Sequence, residues 1–369
     1  MMLRSAVGQD KAMLYAGVVR ELERSVEAYP QRSGFEEAAE VVRALANDLR
    51  SESLFVVSNR VFAFKRFVDV SKRRKHAATL LAMKHLGHAL PSAAYAVNAM
   101  STGDIAEFAR QDVPIAVISK KYGYNMPGIL VPNPFFAEGD LRKWTRQSRE
   151  LKTAAEAAPW YDRDPRLFWR GNIGSHGEDC ERDSGNYARF AAVSLSAENA
   201  SLFDVKCNKC RPANDTTCAP YDSTMRALLK GGIRNVQDPA WVEARDYVRY
   251  RAVLNLPGTT SGGYSRNLNH LWALGAVVAL WNTSVVEWYY PSLRTGTTHL
   301  VLDKTNAAEA MDRLRRGLFD VPALLDGAKR VRDSLVCGEC QARYILDMLA
   351  AILCRRPPLH WRRLCGRPR

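Results

Sequence analysis

The stretch LNLPGTTSGGYSRNLNHLWALGAVVALW, residues 254–281, constrains the fold most. An apolar run of strand length stops at a loop of glycine, serine and threonine (258–263). A helix-like segment follows, then a second apolar run. Extended to 251–303, the order reads strand, glycine-rich loop, helix, strand, helix, strand, the doubly wound pattern of a parallel sheet. In such sheets ligands sit beyond the C-terminal ends of the strands. The loop places small residues and hydroxyls where a helix begins, and the unpaired N–H groups and partial positive charge of a helix N-terminus suit a phosphate. Arg266, just after the loop, adds a fork of donors for phosphate oxygens. The loop has neither the Gly-Lys-Ser/Thr ending of a Walker A motif nor a G-x-G-x-x-G fingerprint. Taken alone, it is equally well a flexible loop whose glycines ease packing.

The rest of the chain alternates in the same way, which argues α/β layers. VVRELERSVEAY and FEEAAEVVRALANDLR carry apolar residues at three- and four-residue spacing, and HAATLLAMKHLGHAL is an amphipathic helix that stops before Pro91. SLFVVSNRVFAF, SAAYAVNAM, VPIAVISKK, SLFDVKC and the start of LFWRGNIGSHGED read as strands, and GILVPNPFF as an extended segment. GDLRKWTRQSRELKTAAEAAPWYDRDPR is a polar helix broken at Pro159, the approach to a domain boundary. NYARFAAVSLSAEN and NAAEAMDRLRRGL are helices, CNKCRPANDTTCAPYDS is an insertion-like loop, and SVVEWYYPSLRTGTTHLVLD reads as short helix, turn and strand.

The chain has 369 residues, room for two domains with cores, and a net charge of +14. A basic surface attracts polyanions. The charge is dispersed, with dense runs only in SKRRKH (71–76) and the tail CRRPPLHWRRLCGRPR (354–369). No RNA-binding aromatic signature or zinc-finger spacing accompanies it, so solvated basic faces on an enzyme are favoured over nucleic-acid binding. No run of 18 uncharged apolar residues occurs, so no transmembrane helix is expected, and the first 25 residues lack the apolar core of a secretory signal. The eight cysteines include two Cys-x-x-Cys pairs, CNKC and CGEC, which could supply four thiolates to zinc. They lie far apart in sequence and neither sits in a knuckle-like turn. With three N-glycosylation sequons at Asn199, Asn214 and Asn282, the even count favours disulfides. Cys207, Cys210, Cys218, Cys337 and Cys340 are expected in disulfides, with partners unassigned.

Two further pieces extend the phosphate reading. FWRG (168–171) is a second strand end carrying arginine and glycine, followed by Ser175. VEWYYP (286–291) places Glu287 at the start of a short helix after a strand, where a carboxylate can accept both hydrogen bonds of a ribose diol. The alternative reading of Glu287 is a surface glutamate beside buried aromatics. Together, an arginine pair, a helix N-terminus and a diol-binding carboxylate describe a nucleotide-diphosphate site.

The ordered set FWRG…S…R, RYRAVLNLPG…R…NHLWALGAVV, EWYYPSL and THLVLD resembles the Rumi-type protein O-glucosyltransferases and capsule-associated xylosyltransferases of glycosyltransferase family 90, over about residues 51–305. The resemblance implies a GT-B fold, two Rossmann-like domains facing a central cleft. Residues 1–160 would then be N-terminal helices and the acceptor-side domain, 161–320 the nucleotide-sugar-binding domain, and 321–369 a C-terminal helix and basic tail able to pack back on the first. It implies transfer of glucose or xylose from a UDP-sugar to a hydroxyl of a protein or glycan acceptor, with inversion, no cofactor and no essential metal. By position, Arg170, Gly171, Ser175 and Arg189 match the first donor segment, and Gly258, Arg266 (or Asn267) and Glu287 the second; Arg170 and Arg266 are expected to act in catalysis by stabilising the leaving diphosphate. Family members work in the lumen of the secretory pathway; a cytoplasmic site is the alternative for this chain.

The resemblance places an aspartate base directly after a strand like AAYAVNAM. Here that position is Ser101, and Asp104 lies three residues on. Asp104 before IAEFAR reads as a catalytic base or as a helix N-cap. Two other readings of the whole chain stand beside the enzyme: an inactive GT-B relative that binds UDP or glycans, and a basic polyanion-binding protein.

Overall fold

The computed structural model describes residues 2–27, 29, 53–58, 60–63, 70–87, 90–91, 93–98, 114–121, 128–133, 140–173, 185–210, 236–258 and 268–354. The chain forms two α/β units. One comprises 1–145, 285–292 and 334–369, and the other 146–284 and 293–333. No described helix is long and apolar enough to cross a membrane.

The first unit holds helix α1 (Met2–Glu27), strands β1 (Ser53–Ser58) and β2 (Arg60–Ala63), helix α2 (Val70–His85), and strands β3 (Ala93–Asn98), β4 (Ile115–Val117), β5 (Ser119–Lys121) and β6 (Ile129–Leu130). Its sheet runs β2-β1-β3-β4-β6, antiparallel at the β1 side and parallel from β3 to β6. Helix α1 is tied to β5 by a buried ion pair. Lys120 Nζ lies 2.8 Å from Glu21 Oε1 and also donates to Ser25 Oγ and the Gly128 carbonyl, so the ammonium is fully surrounded by acceptors.

The second unit begins in helix α3 (Leu141–Glu156), which starts in the first unit and crosses the boundary at residues 145/146. It continues with β7 (Asp164–Ile173), α4 (Gly185–Glu198), β8 (Phe203–Cys210), β9 (Tyr250–Asn255), the one-turn α5 (Leu268–Leu271) and β10 (Val277–Trp281). The chain then visits the first unit through β11 (Val285–Glu287) and returns for β12 (Leu300–Leu302), α6 (Ala307–Arg315) and α7 (Val321–Val331). A five-residue π-helix, Arg332–Val336, leads into α8 (Gly338–Cys354) of the first unit.

All four pairings in the second sheet are parallel, and its order is β12-β10-β9-β7-β8. Counting strands within the unit, this is 2-1-3-4-5, a doubly wound order whose direction reverses between β7 and β9. Parallel strands covered on both faces need continuous apolar runs. Residues 252–254 and β10 supply them, with every residue of β10 buried. One face of β7, carrying Leu167 and Trp169, packs with Ala188, Ala192 and Leu195 of α4 into the unit's core. Fully burying a side chain such as Leu167 contributes about 1.5–3 kcal/mol.

The segment SVVE, expected as helix, is instead strand β11, antiparallel to β5 with Glu287 opposite Ser119. Consecutive β-branched residues, Val285 and Val286, lose rotamer freedom in a helix and pack well on a pleated edge. The helix expected at FEEAAEVVRALANDLR lies outside the described residues. Helix α1 begins well before the expected VVRELERSVEAY, because its N-terminal half holds no proline and its isolated Gly8 is tolerated.

Candidate functional site

The order reversal between β7 and β9 makes a crevice at their C-terminal ends, the place where open α/β sheets take ligands. What closes this switch point is Arg189, in the second turn of α4. Its Nε donates to the Pro257 carbonyl at 2.7 Å and its Nη1 to the Asn172 carbonyl at 2.6 Å, with the guanidinium against the Trp169 ring. One cation therefore joins the tails of β7 and β9 beyond Phe168 and Val253, the last residues at which the two strands pair with each other. Gly171 and Gly258 flank the two bonded carbonyls, and Gly258 is buried. The N-terminus of α4 lies at this same end of the sheet, since the helix follows β7, and the helix dipole adds to the positive character.

Of the residues expected from sequence, Gly171, Arg189 and Gly258 are thus brought together. Gly171 is glycine for a packing reason. A Cβ there would meet the Trp169 ring, lying only 2.9 Å from Cη2, so the side chain that fills the core two residues back forbids one at 171. Ser175, Arg266 and Asn267 lie outside the described residues, as do Ser101 and Asp104.

Arg170 is placed differently from the expectation. Side chains alternate across a strand, so Trp169 enters the α4-side core and Arg170 the opposite face. There all five of its N–H donors are taken. Nε and Nη2 reach Asp238 Oδ2, Nη2 also reaches Asp204 Oδ1 at 2.8 Å, and Nη1 donates to the carbonyls of Trp169 and Asp204. No N–H remains for a phosphate. Arg170 is the centre of a buried polar cluster that includes Tyr250, whose hydroxyl donates to Asp204 Oδ2 at 2.6 Å, and whose ring stacks on Phe168 beneath the guanidinium. Burial pushes the Asp204 carboxyl up, but the Tyr250 hydroxyl and the Arg170 charge outweigh it and hold the group below the usual carboxylate range. The Tyr250 hydroxyl is raised by burial and by donating to that carboxylate. The signal was present in sequence: Asp204 sits inside the apolar strand SLFDVKC, and a buried carboxylate requires a cation.

Glu287 also departs from the expectation. It ends strand β11, in the first unit, and is 1% exposed. Its Oε1 has no hydrogen-bond partner, and burial raises its carboxyl well above the ordinary value. Burial of this kind favours the protonated carboxyl, a donor and an acceptor rather than the double acceptor foreseen for a ribose diol. His299 of the THLVLD segment stands just before β12, at the opposite, N-terminal end of the sheet. Its Nδ1 is 2.9 Å from Thr298 Oγ1, and burial lowers it to about 4.

Among the described residues, cysteines 207 and 210 are disulfide-bonded to each other, as are 337 and 340. The expected disulfides are therefore made within each Cys-x-x-Cys motif. Cys218 lies outside the described residues.

No protein-family model and no curated protein matches the chain. Among solved structures it is similar to TarM (10% identity, TM-score 0.33, covering 53% of this chain and 36% of that one). It is similar also to the trehalose-6-phosphate synthase OtsA (11%, 0.32, 64% and 52%). A third is the pneumococcal O-GlcNAc transferase GtfA in complex with UDP and GlcNAc (11%, 0.34, 79% and 62%). The chain spans between about a third and less than two thirds of the length of these structures.

Proposed function

We propose that this chain is a GT-B glycosyltransferase that moves glucose or xylose from a UDP-sugar to a hydroxyl of a protein or glycan, with inversion and without an essential metal. The observation that carries the reading is the bridge made by Arg189 between the ends of β7 and β9. The two segments that resemble donor-binding segments of family 90 meet at the topological switch point, beside a helix N-terminus suited to a diphosphate.

In this reading the acceptor hydroxyl attacks the anomeric carbon from the face opposite UDP. Asp104 takes the hydroxyl proton as the bond to the diphosphate breaks. The leaving group gains negative charge, and fixed cations that meet it lower the barrier. Arg266, following the 258–263 loop, and Arg189 are assigned to that work. Arg170 is assigned instead to holding the strand it stands on. The two Cys-x-x-Cys disulfides support an oxidising compartment such as the secretory lumen.

The test is a thermal-shift panel of UDP-glucose, UDP-xylose, UDP and ADP-glucose, followed by UDP release in the presence of acceptors. A ligand at 100 times its Kd should stabilise the native state by about 2.7 kcal/mol. Arg266→Ala should slow transfer on the order of a hundredfold. Asp104→Asn should abolish transfer and leave the UDP shift in place. No shift with any uridine nucleotide overturns the proposal. A shift without transfer leaves a UDP-binding relative that has lost its base.

A further inference from the structure

The segment Cys337-Gly338-Glu339-Cys340 takes no part in the transfer chemistry above, and it is built unlike an inert cross-link. Its disulfide closes a four-residue loop, whose constraint on the unfolded chain is small beside that of a long loop. It stands at the N-terminus of the 17-residue helix α8. Cys337 acts as the cap of that helix: its Sγ accepts the Cys340 N–H at 3.0 Å and its carbonyl accepts the Gln341 N–H at 3.0 Å. Both cysteines are half-buried, outside the fully buried core.

The neighbours fix the motif in place. A Cβ at Gly338 would lie 2.6 Å from Thr145 Oγ1 and 3.1 Å from the Leu141 carbonyl, so the glycine lets the first turn of α8 lie directly on α3. The Val336 carbonyl, just before the motif, accepts from Trp144 Nε1 at 2.6 Å and from Gln341 Nε2 at 2.8 Å. The five residues before Cys337 form the π-helix Arg332–Val336, and π-turns recur at functional sites. The motif is thus held from both sides while its two cysteines are only half-buried.

We propose that Cys337 and Cys340 are a redox-active dithiol–disulfide pair that exchanges with a small aliphatic thiol or disulfide of the glutathione type, with Cys337 as the attacking sulfur. A backbone N–H and the positive end of α8 both stabilise negative charge on Cys337 Sγ. In the reduced protein, the Cys337 thiolate attacks one sulfur of glutathione disulfide. A Cys337–glutathione bond forms and one glutathione leaves as the thiolate. Cys340, deprotonated, then attacks Cys337 Sγ and releases the second glutathione. Two electrons pass from the protein to the glutathione disulfide, the two thiol protons go with them, and the disulfide seen in the structure is the product. Run backwards, two glutathione thiols reduce it.

The experiment uses the full chain with residue-resolved mass spectrometry. Cys340→Ser, treated with glutathione disulfide, should accumulate glutathione on Cys337. Cys337→Ser should show at least tenfold less on Cys340. In the unaltered protein, glutathione buffers that half-reduce a thioredoxin-type Cys-x-x-Cys should reduce 337–340 to a comparable fraction, without loss of the folded state. Equal, slow labelling of the two serine variants overturns the proposal. So does a 337–340 bond that stays closed in those buffers, which is a structural disulfide. If a variant fails to fold, the buffer measurement on the unaltered chain decides alone.

Discussion

Arg170 Nη2 stands 2.8 Å from Asp204 Oδ1, and both side chains are 6% exposed. Removing one partner of a buried ion pair strands the other charge, at a cost of about 3–5 kcal/mol. Asp238 remains beside Arg170 in such a variant, so Asp204→Ala should fall at the lower end, near ~3 kcal/mol. The folded Asp204 carboxyl lies below its ordinary 3.8. Its stabilisation is therefore present above pH 3.8 and lost as pH falls through the lower, folded value. Urea midpoints of Asp204→Ala and the parent should differ at pH 7 and draw together as pH falls below 3.8. A difference within about 0.5 kcal/mol at pH 7 would place Arg170 outside the stability of the sheet.

Gly171→Ala should destabilise through Trp169. The ring that the new Cβ meets is 3% exposed and interlocked with α4, so it cannot swing clear. Overpacking of this kind costs about 1–3 kcal/mol. Trp169→Phe removes the ring atoms that clash, so the double variant Trp169→Phe/Gly171→Ala should be more stable than the sum of the two losses predicts. Simple additivity by chemical denaturation would mean that Gly171 is glycine for ligand approach rather than packing.

The same two residues show what was legible in sequence. The strand FWRG, its parallel neighbours and the helices between them follow from runs of apolar residues, and β7 to β10 fall where those runs lie. The role of Arg170 was not legible, because a strand's period assigns faces only relative to one another. Which face holds the carboxylates depends on Asp204 and Asp238, 34 and 68 residues away. Arg189 was legible as a site residue but not as a bridge, since its acceptors are backbone carbonyls that carry no sequence signature. Strand β11 was misread because a three-residue strand is too short to show a period, and its partner β5 is 164 residues from it in the case of Val285 and Lys121.

Asp347 makes a pH-dependent joint between α1 and α8. The Tyr15 hydroxyl donates to Asp347 Oδ2, and the Arg343 guanidinium stacks on the Tyr15 ring. Burial raises the carboxyl to about 6, against opposing pulls from the Tyr15 hydrogen bond and Arg343. A raised acid contributes its stabilisation below the unfolded value of 3.8 and loses it as pH climbs through about 6. Holding it ionised at pH 7 then costs on the order of 3 kcal/mol. Asp347→Asn keeps an acceptor for Tyr15 and removes that cost. It should unfold at higher temperature than the parent at pH 7.5 and at a similar one at pH 4. Parallel melting curves across that range would show a carboxyl that titrates normally.

Glu287 separates the sequence reading of the donor site from the structural one. As an ionised carboxylate accepting from both ribose hydroxyls, it could not be replaced by glutamine, which offers one acceptor and turns a donor toward the second hydroxyl. The loss would be about 1.5–3 kcal/mol for a charged hydrogen bond, or roughly tenfold and more in affinity. In the structure the group is 1% exposed, its Oε1 is unpartnered, and burial holds the proton on well above the ordinary 4.5. A neutral carboxyl and an amide have the same shape and each presents one acceptor and a donor. Glu287→Gln should then bind UDP within about threefold of the parent, an interval well inside the ~1.4 kcal/mol of a tenfold change. Stability adds an independent readout. The raised carboxyl stabilises fully below 4.5 and less as pH rises toward its folded value, so the parent should lose stability on the alkaline side while Glu287→Gln does not. A glutamine variant that tracks the parent from pH 5 to pH 9 and loses UDP tenfold or more would restore the ionised, diol-accepting glutamate.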